Sequence, residues 1–376
     1  MRTNTLFLTL NIFSATGGIE KVCRIAGKVL FESGVEANSR VMIWSMHDKE
    51  GAADGNMYFP SELYRCFGAS KAKFLKAAVQ QGVQSKQVIL SHVNLLLVGW
   101  LIKKISPSTK LVLMAHGIEI WDKFPKYKAM MLAAVDHVWA VSNYTRSKIL
   151  QQHGLPATKV SVLNNCLDPY LTDYKNVNVP DSLKKRYGLS ATDKILFTLT
   201  RLSSNEKYKG YDDVITALQQ LNDPSIKYII AGKADNEALN LVKATIEKAG
   251  LQQQVILAGF IADDEVAAHY KMSDCYIMPS SGEGFGVSFI EAMFYGVPVI
   301  GGNADGSMDA LLNGSLGTMV TPSNIEEIKT AIKLVLGNRN KHIPDHDILL
   351  KNFGYESYKE RLNELLNKRL INSNYE

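Results

Sequence analysis

The chain has 376 residues, of which 46% are hydrophobic and 21% are charged. This length exceeds what one hydrophobic core usually supports, so we expect a globular protein of two domains. The four cysteines are far apart in sequence, which argues against a disulfide framework or a cysteine zinc site and favours a reducing compartment such as the cytoplasm. No run of 18 apolar residues occurs, so no membrane-spanning helix is predicted.

Positive charge is concentrated in the first half of the chain. Residues 1–180 carry 21 Lys/Arg and 12 Asp/Glu, a net charge of +9, whereas the remainder carries 21 and 25, a net charge of −4. The basic residues form either solvated helix faces or a surface that meets anionic lipid headgroups at the inner face of the membrane, or an acidic acceptor. Nucleic acid is not a predicted partner because no recognition motif accompanies the charge.

Short β-rich runs alternate with helical patterns in the first half. A helix is predicted at Gly18–Ser33, directly after the first strand. The predicted strands are Thr5–Leu10, Arg40–Trp44, Gln87–Leu90, Lys110–Ala115, His137–Val141 and Val160–Asn164. Such alternation predicts a parallel sheet covered by helices on both faces.

Leu167–Ser190 is polar and irregular, and a second alternating series follows it. Its predicted strands are Lys194–Thr200, Ile226–Ala231, Gln254–Ala258, Cys275–Met278 and Pro298–Gly301, with helices at Tyr211–Leu221 and Asn236–Ala249. The predicted fold class is therefore α/β, with two facing Rossmann-like domains at 1–172 and 191–354 and a linker at 173–190. The apolar spacing of Tyr355–Leu370 predicts a C-terminal helix, within 355–376, that packs back on the N-terminal domain.

Two motifs of the first half stand at predicted carboxyl ends of strands. Gly17-Gly18 follows the first strand and opens a helix, where a backbone amide can approach a phosphate or sugar, although such a turn is often only structural. His116 directly follows the strand Lys110–Ala115, which places it at the edge where α/β sheets bind ligands. Glu119, Trp121 and Asp122 are candidates for an acceptor pocket, and Trp121 is equally typical of a packing residue.

In the second half, Arg201 follows a strand, and Lys207 and Lys209 follow Arg201. A planar arginine guanidinium can donate two parallel hydrogen bonds to a diphosphate, and a lysine ammonium can bind it as a compact positive charge. Lys209 is preferred because Gly210 follows it and begins the next helix, while Lys207 remains the alternative.

The most specific element is the segment 280–298, in which Glu283 and Glu291 stand eight residues apart around a glycine-rich turn. A helix that begins near Phe285 would leave the amides of Phe285, Gly286 and Val287 free to bind an anion. No metal site is predicted, because the one Asp-x-Asp pattern, at 345–347, follows a proline in a polar segment.

These residues together resemble family 4 of the retaining glycosyltransferases, whose GT-B fold consists of two facing Rossmann domains. The match runs through most of the chain, and its specific part is Glu283 to Glu291. The matching motifs are Gly17-Gly18-Ile19-Glu20, His116-Gly117, Arg201 with Lys209-Gly210, Pro279 to Gly286 and Tyr295-Gly296-Val297-Pro298. At these motifs the local sequence, such as His116-Gly-Ile-Glu-Ile-Trp121, most resembles that of bacterial members that build surface or exported polysaccharide.

The resemblance implies a role for each matching position. Glu283 would bind donor-sugar hydroxyls, Glu291 the ribose, and His116 the sugar near the reacting carbon. The implied diphosphate contacts are Arg201, Lys209 and the amides of Phe285, Gly286 and Val287. The implied neighbours of the phosphate or sugar are Gly17 and Gly18, and those of the base are Phe260 and Ile261.

The activity implied by the resemblance is front-face transfer of a hexose, with retention, from GDP-mannose or a UDP-sugar to a glycan or lipid-linked acceptor. Neither a cofactor nor an obligatory metal is implied. A nucleotide-sugar epimerase of the same fold, a non-catalytic glycan-binding protein and, more remotely, a dehydrogenase remain as alternatives.

Overall fold

The structure is a computed structural model that describes residues 5–15, 17–203 and 206–367, without the side chain of Lys207. The described part of the chain divides into two compact units. The first comprises the described residues of 1–169 and 354–376, and the second comprises those of 170–353.

The described residues of the first unit form a sheet of seven parallel strands in the order β3-β2-β1-β4-β5-β6-β7. The strands are β1 (Thr5–Thr9), β2 (Val41–Ser45), β3 (Tyr64–Cys66), β4 (Gln87–Leu90), β5 (Lys110–Ala115), β6 (His137–Ala140) and β7 (Val160–Val162). Six of them were predicted from their apolar runs. The prediction missed β3, because an edge strand of three partly exposed residues carries no apolar run.

Helices cover both faces of this sheet. They are α1 (Gly18–Glu36), α2 (Lys71–Gly82), α3 (Leu96–Ile105), α4 (Ile118–Trp121), α5 (Lys126–Ala133) and α6 (Asn143–His153). Alternate residues of β1 point to opposite faces: Leu6 and Leu8 pack in one core with α2, α3 and α5, whereas Phe7 packs in the other with α1.

The described residues of the second unit form a sheet of six parallel strands in the order β10-β9-β8-β11-β12-β13. The strands are β8 (Lys194–Leu199), β9 (Ile226–Ala231), β10 (Val255–Gly259), β11 (Cys275–Met278), β12 (Val299–Gly302) and β13 (Thr318–Val320). The helices are α7 (Asp181–Arg186), α8 (Tyr211–Leu221), α9 (Asn236–Ala249), α10 (Asp263–Met272), α11 (Val287–Phe294), α12 (Ser307–Ala310), α13 (Ile325–Gly337) and α14 (His346–Phe353). The short edge strand β13 was not predicted.

The prediction of an irregular linker at 173–190 was wrong in one respect, since α7 lies within it. Leu183 of α7 is buried, and Arg186 donates two hydrogen bonds, of 2.9 and 2.7 Å, to the carboxylate of Glu265. A single buried leucine in a polar segment is too weak a pattern to reveal a six-residue helix.

The predicted return of the C-terminal helix to the first unit is confirmed. This helix, α15 (Tyr355–Asn367), buries Tyr358 and Leu362 in the same core as α1. At the edge of this contact, the Tyr355 hydroxyl donates to Glu32 over 2.9 Å. Positions 368–376 of the predicted segment lie outside the described residues. Among the residues that the structure covers, no helix combines the length and apolar character needed to cross a membrane.

We predict that Leu362→Ala lowers the free energy of unfolding of the first unit by about 2–5 kcal/mol, because it leaves a cavity where α15 meets the core. All four tryptophans of the chain lie in this unit, at positions 44, 100, 121 and 139, so denaturation followed by tryptophan fluorescence reports on it selectively. Glu364→Ala on the exposed side of the same helix is the control. Equal midpoints for the two variants would contradict the packing described.

Candidate functional site

The strand order of the second sheet reverses between β8 and β11, which pair directly. In open α/β sheets, ligands bind beyond the carboxyl ends of the strands at such a point. The chain after β8 leads to Arg201, and the chain after β11 leads to the loop that contains Glu283. The fold therefore brings two of the predicted site residues to the same edge of the second unit.

Lys209 and Glu283 form a partly buried ion pair between the two loops. The Lys209 ammonium donates to the Glu283 carboxylate, and each side chain is only 13% exposed. Burial alone would lower the pKa of Lys209, but the adjacent carboxylate outweighs it and raises the pKa, so the lysine stays charged at neutral pH. The structure thus unites one cation and one carboxylate that are 74 residues apart in sequence.

Arg201 differs from Lys209 in its exposure. Its side chain is 70% exposed, and it donates a hydrogen bond of 2.6 Å to Glu206. An exposed ion pair contributes little to stability and is readily exchanged for another anion. Arg201 is therefore available to a ligand, with Glu206 as its partner in this structure.

A buried aspartate, Asp305, holds the loop that carries Glu283. One of its carboxylate oxygens accepts from the Ser280 hydroxyl (2.5 Å) and the Glu283 amide (2.7 Å), and the other accepts from the Ser307 amide (2.8 Å). Burial raises the pKa of Asp305. Since all three of these partners donate, the site is built for an acceptor-only side chain.

Gly306 lies in close contact with the loop that carries Glu283. Its amide donates to the Glu283 carbonyl oxygen over 2.8 Å. A methyl group at Gly306 would lie 2.0 Å from the Gly284 carbonyl oxygen, so any larger residue would displace the loop. Asp305 and Gly306 thus bind the backbone N–H and the backbone C=O of Glu283.

The loop after β8 is joined to the loop after β11 by a further contact. The residues Lys207–Lys209 form one 3-10 turn, and the Tyr208 carbonyl oxygen in it accepts from the Ser281 amide over 2.9 Å. The Lys209 ammonium also lies 5.0 Å from the centre of the Tyr208 ring. These contacts hold Lys209 beside Glu283.

The helix after the glycine-rich turn begins two residues later than expected. It begins at Val287, with Gly286 as its N-cap in a left-handed conformation (φ 89°) that favours glycine. The Phe285 side chain is buried and packs edge-on against Phe353, so Phe285 has a packing role in the structure. The amides of the first helical turn that lack an intrahelical acceptor are consequently those of Val287 and Ser288, near the positive end of the helix dipole.

Glu291 lies in the second turn of α11 and is 3% exposed. The Tyr270 hydroxyl donates to its carboxylate over 3.2 Å. Its predicted contact with a ribose stays a prediction. Beyond β10, Phe260 is 56% exposed, with the Lys233 ammonium 5.0 Å from its ring centre, whereas Ile261 is buried. The predicted contacts of Phe260 and Ile261 with a base stay predictions.

In the first unit, His116 follows β5, and its Nε2 donates to the Ser91 carbonyl oxygen beyond β4 over 2.8 Å. A carbonyl oxygen only accepts, so Nε2 carries a proton. Glu119 accepts from the His116 amide over 2.6 Å, and Trp121 donates from Nε1 to Thr145. Glu119 thus holds the backbone at His116, and Trp121 joins α4 to α6. The predicted acceptor pocket of Glu119, Trp121 and Asp122 stays a prediction.

Gly17 and Gly18 lie at the start of α1, as predicted from the sequence. A methyl group at Gly18 would meet no atom within 4 Å, whereas one at Gly17 would lie 2.5 Å from the Glu20 carboxylate. The preceding loop is held by the buried Asp48, which accepts from the amides of Ile12 and Ser14 over 2.8 and 2.9 Å. Burial opposes ionisation of Asp48, but hydrogen bonds from Tyr64 and these amides outweigh it and lower its pKa.

The Asp-x-Asp pattern at 345–347 has a structural explanation. The Asp345 carboxylate accepts from the amides of Asp347 and Ile348, each over 2.9 Å, at the start of α14. In the part of the chain that the structure describes, no group of three or more His, Cys, Asp or Glu residues is arranged to hold a metal ion.

Two family models match the chain and together cover most of it. "Glycosyltransferase Family 4" matches residues 16–170, and "Glycosyl transferases group 1" matches residues 180–360. The chain belongs to these glycosyltransferases. The first match lies in the first unit apart from its last residue, and the second lies in the second unit apart from residues 354–360. The family recognised from the sequence motifs is confirmed.

Among its relatives is a GDP-mannose-dependent alpha-(1-6)-phosphatidylinositol monomannoside mannosyltransferase of Mycobacterium tuberculosis, 28% identical over 261 residues. The match covers 64% of each chain, which is less than two thirds of the relative's length. A 2-deoxystreptamine glucosyltransferase of Streptomyces kanamyceticus is 24% identical over 199 residues, 53% of this chain and 51% of the relative.

Solved structures share the fold over nearly the whole chain. Anabaena HepE, solved in complex with UDP and glucose, matches with a TM-score of 0.78 and 21% identity over 97% of this chain and 99% of that one. A glycosyltransferase from Rickettsia africae matches with a TM-score of 0.77 and 18% identity over 99% and 100%. The predicted fold class is confirmed by this similarity and by the two parallel sheets.

Sequence reasoning missed Asp48, Glu206, Tyr208 and Asp305. The signal for Asp305 in the sequence is an aspartate directly before a glycine and shortly after a buried strand. Its partner Glu283 is 22 residues away, so the contact appears only once β11 and β12 are paired.

We predict that Asp305→Asn lowers the free energy of unfolding by about 1–3 kcal/mol, because the new amide group must face a donor in either orientation. Chemical denaturation followed by far-UV circular dichroism measures the change. Asp264→Asn, exposed in the first turn of α10, is the control. A loss no larger than that of the control would show that the loop does not depend on the carboxylate.

Proposed function

We propose that this protein is a retaining hexosyltransferase that moves a hexose from a nucleotide diphosphate sugar to a glycan or lipid-linked acceptor. The observation that carries the proposal is the Lys209–Glu283 pair, which lies at the switch point of the second sheet together with Arg201. Membership of the glycosyltransferase family and the GDP-mannose dependence named for the mycobacterial relative support it.

The chemistry requires positive charge at the leaving group. Cleavage of the glycosyl–phosphate bond develops negative charge on the departing diphosphate and positive charge on the sugar. Arg201 would bind the diphosphate as a fork, and Lys209 as a point charge. The first amides of α11, at Val287 and Ser288, would add the positive end of a helix dipole. Such preorganised groups act mainly by electrostatic stabilisation of the transition state.

The ion pair with Glu283 keeps the Lys209 ammonium charged and in position. Glu283 holds the Lys209 ammonium in place and partly desolvated, and Asp305 fixes the Glu283 backbone. On binding of the donor, Lys209 would exchange to the diphosphate and Glu283 to sugar hydroxyls. The two charges would stay close, so neither is left buried and unpaired.

We propose retention because the two carboxylates of the site, Glu283 and Glu291, already have partners. Glu283 pairs with Lys209, and Glu291 is buried next to Tyr270, so neither is arranged as a nucleophile for a double displacement. We therefore propose front-face transfer, in which the departing phosphate accepts the proton of the acceptor hydroxyl. Two cationic side chains and a helix terminus would supply the charge, so neither a metal nor a cofactor is required.

For the donor we propose GDP-mannose or a UDP-sugar, with the base against the exposed ring of Phe260. GDP-mannose is named for the mycobacterial relative, and UDP is bound in HepE. Glu291 would accept from ribose hydroxyls, and His116 and Gly18 would contact the transferred sugar or its phosphate. A cytoplasmic location, at the inner face of the membrane, fits a nucleotide-sugar donor and a lipid-linked acceptor.

We predict that two substitutions separate diphosphate binding from sugar binding. Arg201→Ala should weaken binding of the free nucleoside diphosphate about tenfold, because a charge-assisted hydrogen bond is lost at an exposed site. Glu283→Gln should leave binding of the nucleoside diphosphate within about threefold of wild type and abolish the additional affinity for the nucleotide sugar. Calorimetric titration with UDP, GDP and their hexose conjugates measures both.

Lys194→Ala is the matched control for Arg201, since it is exposed at the opposite end of the same strand, β8. Glu237→Gln, exposed in the first turn of α9, is the control for Glu283. Affinities of Arg201→Ala and Glu283→Gln that match those of the controls would refute the assignment of the site.

We further predict transfer without inversion when the protein is incubated with the preferred donor and a panel of mannosyl and glucosyl acceptors. Proton NMR of the initial product should show the anomeric configuration of the donor, and excess EDTA should leave the rate unchanged. An epimerised sugar formed from the donor alone would favour the epimerase alternative. Donor binding without any turnover would favour a glycan-binding protein.

A further inference from the structure

The backbone around Arg201 is fixed, whereas its side chain is exposed. On one side of Arg201 the Thr200 amide donates to the Ala231 carbonyl oxygen over 2.8 Å. On the other side the Leu202 amide donates to the Lys233 carbonyl oxygen over 2.9 Å. The Arg201 side chain is 70% exposed, so packing does not select one of its many rotamers. A polar contact must therefore orient the guanidinium.

That contact is made by Glu206, which is itself held by the loop. The Glu206 side chain is only 15% exposed, and its amide donates to the Ser203 carbonyl oxygen over 2.8 Å. One oxygen of its carboxylate accepts from Nη2 of Arg201 over 2.6 Å. In the part of the chain that the structure describes, no second side chain donates to this carboxylate. Arg201 and Glu206 thus form a pair in which only the arginine end faces solvent.

Glu206 also connects the two cations of the candidate site. Its carbonyl oxygen accepts from the Lys209 amide over 3.2 Å, at the 3-10 turn that carries this lysine. Lys209 in turn pairs with Glu283. One residue therefore links both positive side chains, through its carboxylate to Arg201 and through its backbone to Lys209.

We propose that Glu206 is a positioning residue, which orients the Arg201 guanidinium for the donor diphosphate and stays paired with it when the diphosphate binds. This inference rests on the proposed function, because it takes Arg201 as a ligand of the diphosphate. The pair persists because separation would leave a largely buried carboxylate without its partner. Glu206 occupies one terminal nitrogen of Arg201, so the other N–H groups of the guanidinium can donate to phosphate oxygens. An arginine that is oriented beforehand loses less side-chain entropy on binding.

The opposite role is competition, in which Glu206 must leave Arg201 before a phosphate can bind. Two variants separate the roles: Glu206→Gln and Glu206→Ala both remove the negative charge, but only glutamine keeps an oxygen that accepts from Arg201. For a positioning residue, Glu206→Ala should bind UDP or GDP about fivefold more weakly than Glu206→Gln, because it leaves the arginine to be ordered on binding. Calorimetric titration of the full chain measures both affinities. Under competition, the alanine variant would bind at least as tightly as the glutamine variant, which would overturn the proposal.

The same two substitutions in the Arg201→Ala background exclude a purely structural role. There the alanine and glutamine variants should bind the nucleotide equally, since no guanidinium remains to be oriented. A difference that persists would show that Glu206 acts on the loop and not through Arg201, and would overturn the proposal. The matched surface control is Glu326, 76% exposed on α13, where alanine and glutamine should give equal affinities.

The single variant Arg201→Ala separates this inference from the proposed function. If Arg201→Ala binds the nucleotide as the wild type does, the proposed donor site is wrong and the role of Glu206 fails with it. If Arg201→Ala binds more weakly while Glu206→Ala and Glu206→Gln bind equally, only the role of Glu206 is overturned.

Discussion

The site depends on one constraint: Glu283 must stand beside Lys209 although the two residues belong to loops that follow different strands. The pairing of β8 with β11 brings the loops together, and the contact between Ser281 and Tyr208 joins their backbones. Asp305 then fixes the amide of Glu283 from the end of a third strand, β12. A partly buried ion pair is costly to desolvate, so it persists only where the surrounding backbone holds both groups in register.

The first unit also contains a buried aspartate that holds a loop at the carboxyl ends of the strands. Asp48, beyond β2, is fully buried and accepts from the amides of the loop between β1 and α1. In both units a buried carboxylate therefore orders the backbone at the carboxyl ends of the strands. The two carboxylates differ in electrostatics, because burial dominates at Asp305 and raises its pKa, whereas hydrogen bonds dominate at Asp48 and lower its pKa.

Much of the fold was predictable because buried parallel strands are continuous apolar runs. Strands such as Gln87–Leu90 and Cys275–Met278 were predicted to the residue. The edge strands β3 and β13 and the helix α7 were missed, since they are short and expose much of their surface. Residues at strand ends were also predictable, because the position after an apolar run is local information. The partners Asp305 and Asp48 were not, since their contacts span 22 to 36 residues and depend on how the strands pair.

The first residue of α11 was also not predictable from the sequence. A run of glycines before a helix predicts an anion-binding turn, but not which amide comes first. Phe285 packs against Phe353, some 70 residues later in the chain, and the left-handed Gly286 stands between Phe285 and the helix, which begins at Val287.

A crystal structure of the protein with an intact nucleotide sugar, in a non-transferable form, would show directly whether Lys209 and Glu283 bind the donor. We expect the Lys209–Glu283 pair to open, Lys209 and Arg201 to contact the diphosphate, and Glu283 to accept hydrogen bonds from the sugar hydroxyls. A donor bound away from this pair, or bound with Lys209 and Glu283 still joined and neither touching it, would rule out the proposed donor site.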